Sequence, residues 1–253
     1  MFTSETLGFA LRLRNNLRGI YYIVLKDMRT YYLKPPSISW GIVFPLAWIL
    51  AFYLRNPRSF AELAPGLIAM TVLFSTTAAE AVVINFELRL GSLERLLLAP
   101  LSLPAVLLGK VLGGFSFGLM MATVVTVGSA LVLGLHPNIL SLVLILIPSL
   151  LVFSSLGALL CVLVKEVFEA QTLLNLPRFL MIFLSGVVYP VSAMPLILKY
   201  IAYVMPLTYT VDGLRLSFSA SSSAMVFIDI LALILFLILF ILPAIKLLYK
   251  KFE

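Results

Sequence analysis

Charge is scarce in this sequence. Only 11% of its 253 residues are Asp, Glu, Lys or Arg, where an ordinary soluble domain carries about a quarter. So little charge cannot coat a globule of this size, which excludes a typical cytosolic enzyme and a disordered tail. Cysteine is nearly absent as well: Cys161 stands alone, so a disulfide scaffold is excluded. The single histidine, His136, lies in a short polar turn, too isolated for a metal site or a general base. No His-Glu-x-x-His or Gly-x-Ser-x-Gly pattern occurs. Gly109-Lys110 is followed by Val111 and has Pro104 where a phosphate-binding loop needs its first glycine. Catalysis by this chain is therefore not expected, ATP hydrolysis included, and neither is a bound cofactor or metal.

What remains is apolar. Hydrophobic residues make up 62% of the chain, and the mean hydropathy is +1.13. That composition points to an integral membrane protein. The net charge of +7 comes from residues set between apolar runs, not from one basic face, so no nucleic-acid partner is expected.

Six runs are long enough to be read as spans: 38–54, 65–84, 107–134, 139–164, 173–189 and 225–245. They are continuous rather than alternating, so the expected fold is an all-α membrane protein and not a β-barrel. With the N-terminus inside, 14 Lys and Arg fall on inner segments, Lys110 and Arg178 among them. Four fall outside: Arg55, Arg58, Lys199 and Arg215. This bias places both termini in the cytoplasm of a multi-pass cell-membrane protein. The chain reads as a single transmembrane domain, 1–253, with an amphipathic start (1–36) and a six-span bundle (37–253).

The start is not patterned as a signal peptide. Ala10, Leu13, Leu17, Ile20, Val24, Met28 and Tyr31 recur at helical spacing, with Arg12, Arg18, Lys26 and Arg29 largely off that stripe. It reads as a helix lying in the inner interface; the other reading is a cytosolic helix packed on a partner. Lys34-Pro35-Pro36 should break it.

Several segments are candidates for function. Between the second and third spans, Gly91-Ser92-Leu93-Glu94-Arg95-Leu96 leads to Pro100, with Ser92 expected to cap a short helix. That helix is either a docking element or a connector on the bilayer surface. Trp40, Phe44, Trp48 and Phe52 recur every four residues on the first span. They either line a translocation path or are lipid-facing or helix-packing bulk, with Trp40 near one interface. Glu80, inside the second span, is a functional candidate or reaches inner-face water or a basic group. No further charge was assigned to the membrane interior, and Asp229 is expected to reach water. Gly109, Gly113, Gly114 and Gly118 allow close helix contact, within or between subunits. On the outer side, prolines Pro190, Pro195 and Pro206 bound a stretch too short to cross, expected as two broken, re-entrant helices. Asp212 and Arg215, three apart, are expected to pair.

Taken together, Gly91-Ser92-Leu93-Glu94-Arg95-Leu96-Leu97, Ala99-Pro100-Leu101-Ser102, Leu108-Gly109-Lys110 and Pro206-Leu207-Thr208-Tyr209-Thr210-Val211-Asp212-Gly213-Leu214-Arg215 resemble the ABC-2-type permeases. So does Phe183-Leu184-Ser185-Gly186-Val187-Val188-Tyr189-Pro190, and the likeness extends over nearly the whole chain. The resemblance implies two permease chains, as a homodimer among membrane lipids, working with two separate cytoplasmic ATPase subunits that hold ATP and Mg. It makes the loop after the second span a coupling helix, with Glu94 and Arg95 as polar docking contacts. The Lys165–Glu169 loop, including Glu166, becomes a second contact. The first, second and fifth spans would line the path, which brings in Phe179 and Phe183. Pro190, Pro195, Pro206, Tyr209, Asp212 and Arg215 would belong to the outer re-entrant segment. The substrate class expected is hydrophobic or amphipathic: drug-like, lipid or lipid-linked glycan. The competing class is an ion-coupled transporter or channel without an ATPase, which usually shows paired intramembrane acids.

Overall fold

One helix is buried along most of its length. In the computed structural model, which describes residues 4–55, 60–92, 96, 98–164, 167–219 and 223–252, this is α4, Phe60–Arg89. Every residue from Leu63 to Glu80 is buried. Its interior still carries hydroxyls, and they are satisfied locally. Thr71 donates to the Leu67 carbonyl (2.9 Å), Ser75 to Thr71 (2.6 Å) and Thr76 to Val72 (2.8 Å). Such bonds to the preceding turn let a polar helix be buried without orphaned donors.

Before α4 come α1 (Ser4–Asp27), α2 (Pro35–Ile38) and α3 (Phe44–Arg55). A π-helical turn, Met28–Tyr32, extends α1, and a second, Ser39–Val43, joins α2 to α3. The break between them falls at Leu33-Lys34, just ahead of the proline pair, as expected. After α4 come α5 (Leu103–Leu133), α6 (Ile139–Leu163) and α7 (Val167–Leu184). Then follow α8 (Leu196–Tyr203), α9 (Pro206–Phe218) and α10 (Ser223–Phe252). The caps follow the sequence. Ser102 accepts from the Ala105 amide at the start of α5, Gly134 (φ 63°) ends it, and Asn138 accepts from the Ser141 amide to start α6.

Among the described residues four helices are long and apolar enough to cross a membrane: Glu62–Glu87, Leu103–Leu133, Ile139–Leu163 and Met225–Lys251. The first and fifth expected spans do form helices, α3 and α7. However, α3 has 12 residues, and α7 ends at Leu184, short of the expected 189. Arg178 and Lys110, assigned to inner segments by the sequence, both lie within helices and are 1% exposed. With those two set aside the inner excess is still twelve to four.

Leu13 and Leu17 are exposed, and α1 meets the protein through a neighbouring face, Ile23 and Asp27. That face runs along the start of α5. A Cβ on Gly109 would stand 3.0 Å from Ile23, and one on Gly19 only 2.3 Å from Leu101.

Four of the five glycines of α5 make contacts within the chain. Gly113 receives the Tyr32 ring, Gly114 the Glu80 carboxyl and Gly118 the Thr76 methyl. Without a hydrophobic force between helices in lipid, close approach of this kind carries much of the association. Gly114→Ala should lower the detergent melting temperature, because the new Cβ would lie 2.4 Å from Glu80 Oε1 and 2.6 Å from Ser154 Oγ. Gly128→Ala on the same helix meets nothing within 4 Å and should hold or raise it, by up to about 1 kcal/mol of helix propensity.

Candidate functional site

The segment after α4 is held by buried charge. α4 ends at Gly91, which takes φ 63° and turns the chain. Ser92 was expected to cap the next helix; instead its hydroxyl donates back to the Glu87 carbonyl at 3.4 Å. Leu93, Glu94, Arg95 and Leu97 lie outside the described residues, as does Glu166. Leu96 packs with Leu101 against Ile23 and Val106, which pins the segment onto α1 and α5. Leu98 projects, 87% exposed. The next helix is tied down by its own start: the Ser102 amide donates to Asn16 Oδ1 of α1 at 3.1 Å.

Beneath this segment lie four charged groups from three helices. Lys110 Nζ of α5 donates to Asp27 of α1 at 2.9 and 3.1 Å and to Glu87 Oε2 of α4 at 2.5 Å. Lys26 pairs with the other Glu87 oxygen and, at 3.2 Å, with Asp27. Asp27, Glu87 and Lys110 are at most 1% exposed, and Lys26 reaches solvent. The four formal charges cancel. Burial pushes the Asp27 carboxyl above the usual carboxylate range, and Lys110 beside it only partly offsets this. Burial alone would lower the Lys26 ammonium, but its bond to Glu87 and the nearby Asp27 and Glu87 charges together outweigh that and raise it. A raised lysine keeps its stabilising contribution through neutral pH and loses it only above its ordinary 10.5.

The sequence singles out Lys110 but does not join it to Asp27 or Glu87. A lysine with no acid three or four residues away on an apolar helix signals a partner elsewhere. Spacing cannot say which one.

Glu80 does not reach inner-face water, and no basic group lies within 4 Å of it among the described residues. It is fully buried, seated in a notch made by Gly114 of α5 and Gly157 of α6. Oε1 lies 2.9 Å from Ser154 Oγ, and Oε2 has no hydrogen-bond partner. It therefore faces α5 and α6, away from the aromatic group it was expected to join.

That group does form in part. Phe44 lies 4.6 Å from Phe74 and 6.5 Å from Phe179, and Trp48 lies 5.5 Å from Phe183, centroid to centroid. The rings of α3 thus meet those of α7 over Phe74 of α4. The side chains of Trp40 and Phe52 lie outside the described residues. Behind the rings sits Arg178, a buried charge that the sequence counts among the inner-side positive residues although the expected span 173–189 contains it.

On the far side, two short helices, α8 and α9, break at Val204-Met205. Pro195 precedes the first and Pro206 opens the second, and the Tyr209 hydroxyl joins them by donating to the Tyr203 carbonyl at 2.8 Å. Pro190 opens a single 3₁₀ turn, Val191–Ala193. Asp212 and Arg215 form no ion pair. Arg215 instead donates to the carbonyl of Gly186, which turns with φ 81°. Burial raises Asp212, with Arg215 partly opposing. Asp229 is 8% exposed, less than expected. With Asp212 and Arg215 it lines a cavity of about 520 Å³.

Long apolar helices, a buried polar core and a charge-anchored segment define a multi-pass, all-helical membrane protein. The model of the ABC-2 type transporter family matches residues 18–219, and the chain belongs to that family. It is 26% identical over 203 residues to the probable multidrug ABC transporter permease YbhS of Escherichia coli K12, covering 78% of this chain and 54% of that protein. It is 28% identical over 211 residues to the putative transport permease ycf38 of Cyanophora paradoxa, covering 75% and 70%. A shorter match, 36% over 89 residues, links it to heme exporter protein B of Escherichia coli K12, covering 34% and 40%. The family is one of membrane permease subunits of ABC transporters.

Lys110→Met should destabilise the protein by about 3–5 kcal/mol, the usual cost of leaving buried charges unpaired. Asp27→Asn should also destabilise. The double variant should lose less than the sum of the two, read as melting temperatures in detergent.

Proposed function

We propose that this chain is the membrane subunit of an ATP-driven exporter. Two copies span the cytoplasmic membrane six times each, with both termini inside. Each copy docks one ATPase subunit, and ATP and Mg bind on those partners. The observation that carries this reading is the anchored segment after α4. Ser92 bonds the Glu87 carbonyl, and Leu96 packs on Ile23 and Val106, each one turn from a member of the Asp27–Lys110–Glu87 cluster. A push on the segment is therefore delivered to α1, α4 and α5 together. ATP-driven closure of the partners would bias two arrangements of the bundle, as any such switch requires.

Other features support the assembly. Exposed apolar side chains on α3 and α7, among them Val43, Leu46, Leu50, Leu176, Leu180 and Phe183, suit contact with a second copy around a shared path. The aromatic group of Phe44, Trp48, Phe179 and Phe183 lies on those same helices. The exposed Leu13 and Leu17 suit an α1 lying in the inner interface. Relatives named for multidrug and heme export favour outward movement of a hydrophobic or amphipathic substrate.

A tagged chain isolated from native membranes should bring an ATPase in about equal amount, as the docking of one ATPase on each copy requires. Leu98→Glu, or Glu94 and Arg95 both changed to Ala, should remove that ATPase and leave the melting temperature unchanged. Recovery of the homo-oligomer alone would sink the reading. Glu80, with one buried oxygen unpaired, would then direct attention to ion-gradient transport, with Glu80→Gln as the first variant.

A further inference from the structure

Among the described residues Arg178 is the largest fully buried side chain, and no acid pairs with it. Its guanidinium, fixed in the charged form, is satisfied only by neutral groups. Nε donates to Thr77 Oγ1 of α4 at 2.8 Å, and Nη1 donates to Asn175 Oδ1 one turn earlier on α7 at 3.0 Å. The carbon of the guanidinium stands 5.3 Å from the Phe74 ring centroid, a cation–π contact. Nη2 has no partner at all. Among the described residues no carboxylate comes within 4 Å of it. The contrast is with Lys110, equally buried but held by two carboxylates. The chain can plainly neutralise a buried cation where stability alone is at stake.

Two neighbouring features point to what the missing anion is. Phe74 is shared: it takes the guanidinium on one side and the Phe44 ring on another, and so connects Arg178 to the aromatic group of α3 and α7. Asn175 is shared as well. It accepts from Arg178 and also lines a groove of about 790 Å³ along α7, together with Glu169, Thr172, Leu176 and Phe179. That groove runs toward the segment at the inner end of α7 and is apolar along most of its wall. A ligand lying in it would have aromatic and aliphatic surface for its body. Exchange of one neutral acceptor, the Asn175 amide, would expose a guanidinium for its head.

We propose that Arg178 is the specificity-determining residue of the transport path, and that the substrate is an amphipath bearing an anionic group such as a phosphate or carboxylate. The anion takes Nη2 and displaces Asn175, while the apolar body lies against Phe44, Trp48, Phe179 and Phe183. Arginine rather than lysine suits this role, since its planar fork binds an oxyanion through two parallel hydrogen bonds. The proposal rests on the exporter reading and narrows its substrate class.

The test uses the permease–ATPase complex in phosphatidylcholine vesicles with two fluorescent probes of equal chain length. One is a dodecyl phosphate and the other a dodecyl trimethylammonium. ATP-dependent uptake of the phosphate by the unaltered complex should exceed that of the ammonium. Arg178→Met should reduce phosphate uptake by about tenfold or more, the scale of one lost charged hydrogen bond. Arg178→Lys, which keeps the charge, should recover part of it. Melting temperature and retention of the ATPase report whether each variant folds. If neither does, the preference of the unaltered complex decides alone. Equal uptake of the two probes, an ammonium preference, transport of neither by a complex that hydrolyses ATP, or folded variants that move the phosphate normally would each overturn the proposal. A chain that recruits no ATPase overturns the exporter reading instead.

Discussion

The position of the inner end of this protein depends on one ammonium group. Lys110 is withdrawn from water at the start of α5 and must be met by charge. It is met by Asp27 from α1 and Glu87 from α4, 83 and 23 residues away. Three helices that are separate in sequence are thereby fixed relative to one another. The close contacts around them follow the same geometry. Ile23 lies on Gly109, Leu96 and Leu101 close over Ile23, and Tyr32 stacks on Phe117 against Gly113. A segment fastened in this way moves with the bundle, which is what a docking element must do.

The membrane interior is more polar than its composition suggests. α4 buries Thr71, Ser75, Thr76, Thr77 and Glu80 at its centre, and α7 adds Arg178. The hydroxyls cost little because they bond their own helix. Glu80 and Arg178 differ, since each keeps a buried polar atom without a partner. They also face different ways, Glu80 to α5 and α6, Arg178 to α4 and the aromatic group. Polar groups held at such cost inside a membrane are candidates for function.

Much of the architecture was legible beforehand. Continuous apolar runs gave the end of α5 and both ends of α6 to within a residue, with Gly134 and Asn138 as local end signals, but placed the start of α5 four residues late. The two short outer helices followed from Pro195 and Pro206, since proline cannot continue a helix. The errors have a common cause. Ser92 bonds backwards rather than forwards, Arg215 binds a turn carbonyl rather than Asp212, and Asp229 is covered by neighbours. Each side chain chose a partner from another part of the chain or another direction, and local spacing carries no information about that choice.

The sequence by itself determined that this is a helical membrane protein and roughly where its long helices lie, and its motifs carried the resemblance to a family. The first two come from composition, periodicity and local capping, which act over a few residues. Tertiary structure alone decided that Lys110 joins Asp27 and Glu87, that Glu80 sits in a notch of Gly114 and Gly157, and that Arg178 has no acid. Which charges meet in a low-dielectric interior depends on how whole helices stack, because only contact within a few ångströms can offset the cost of removing them from water.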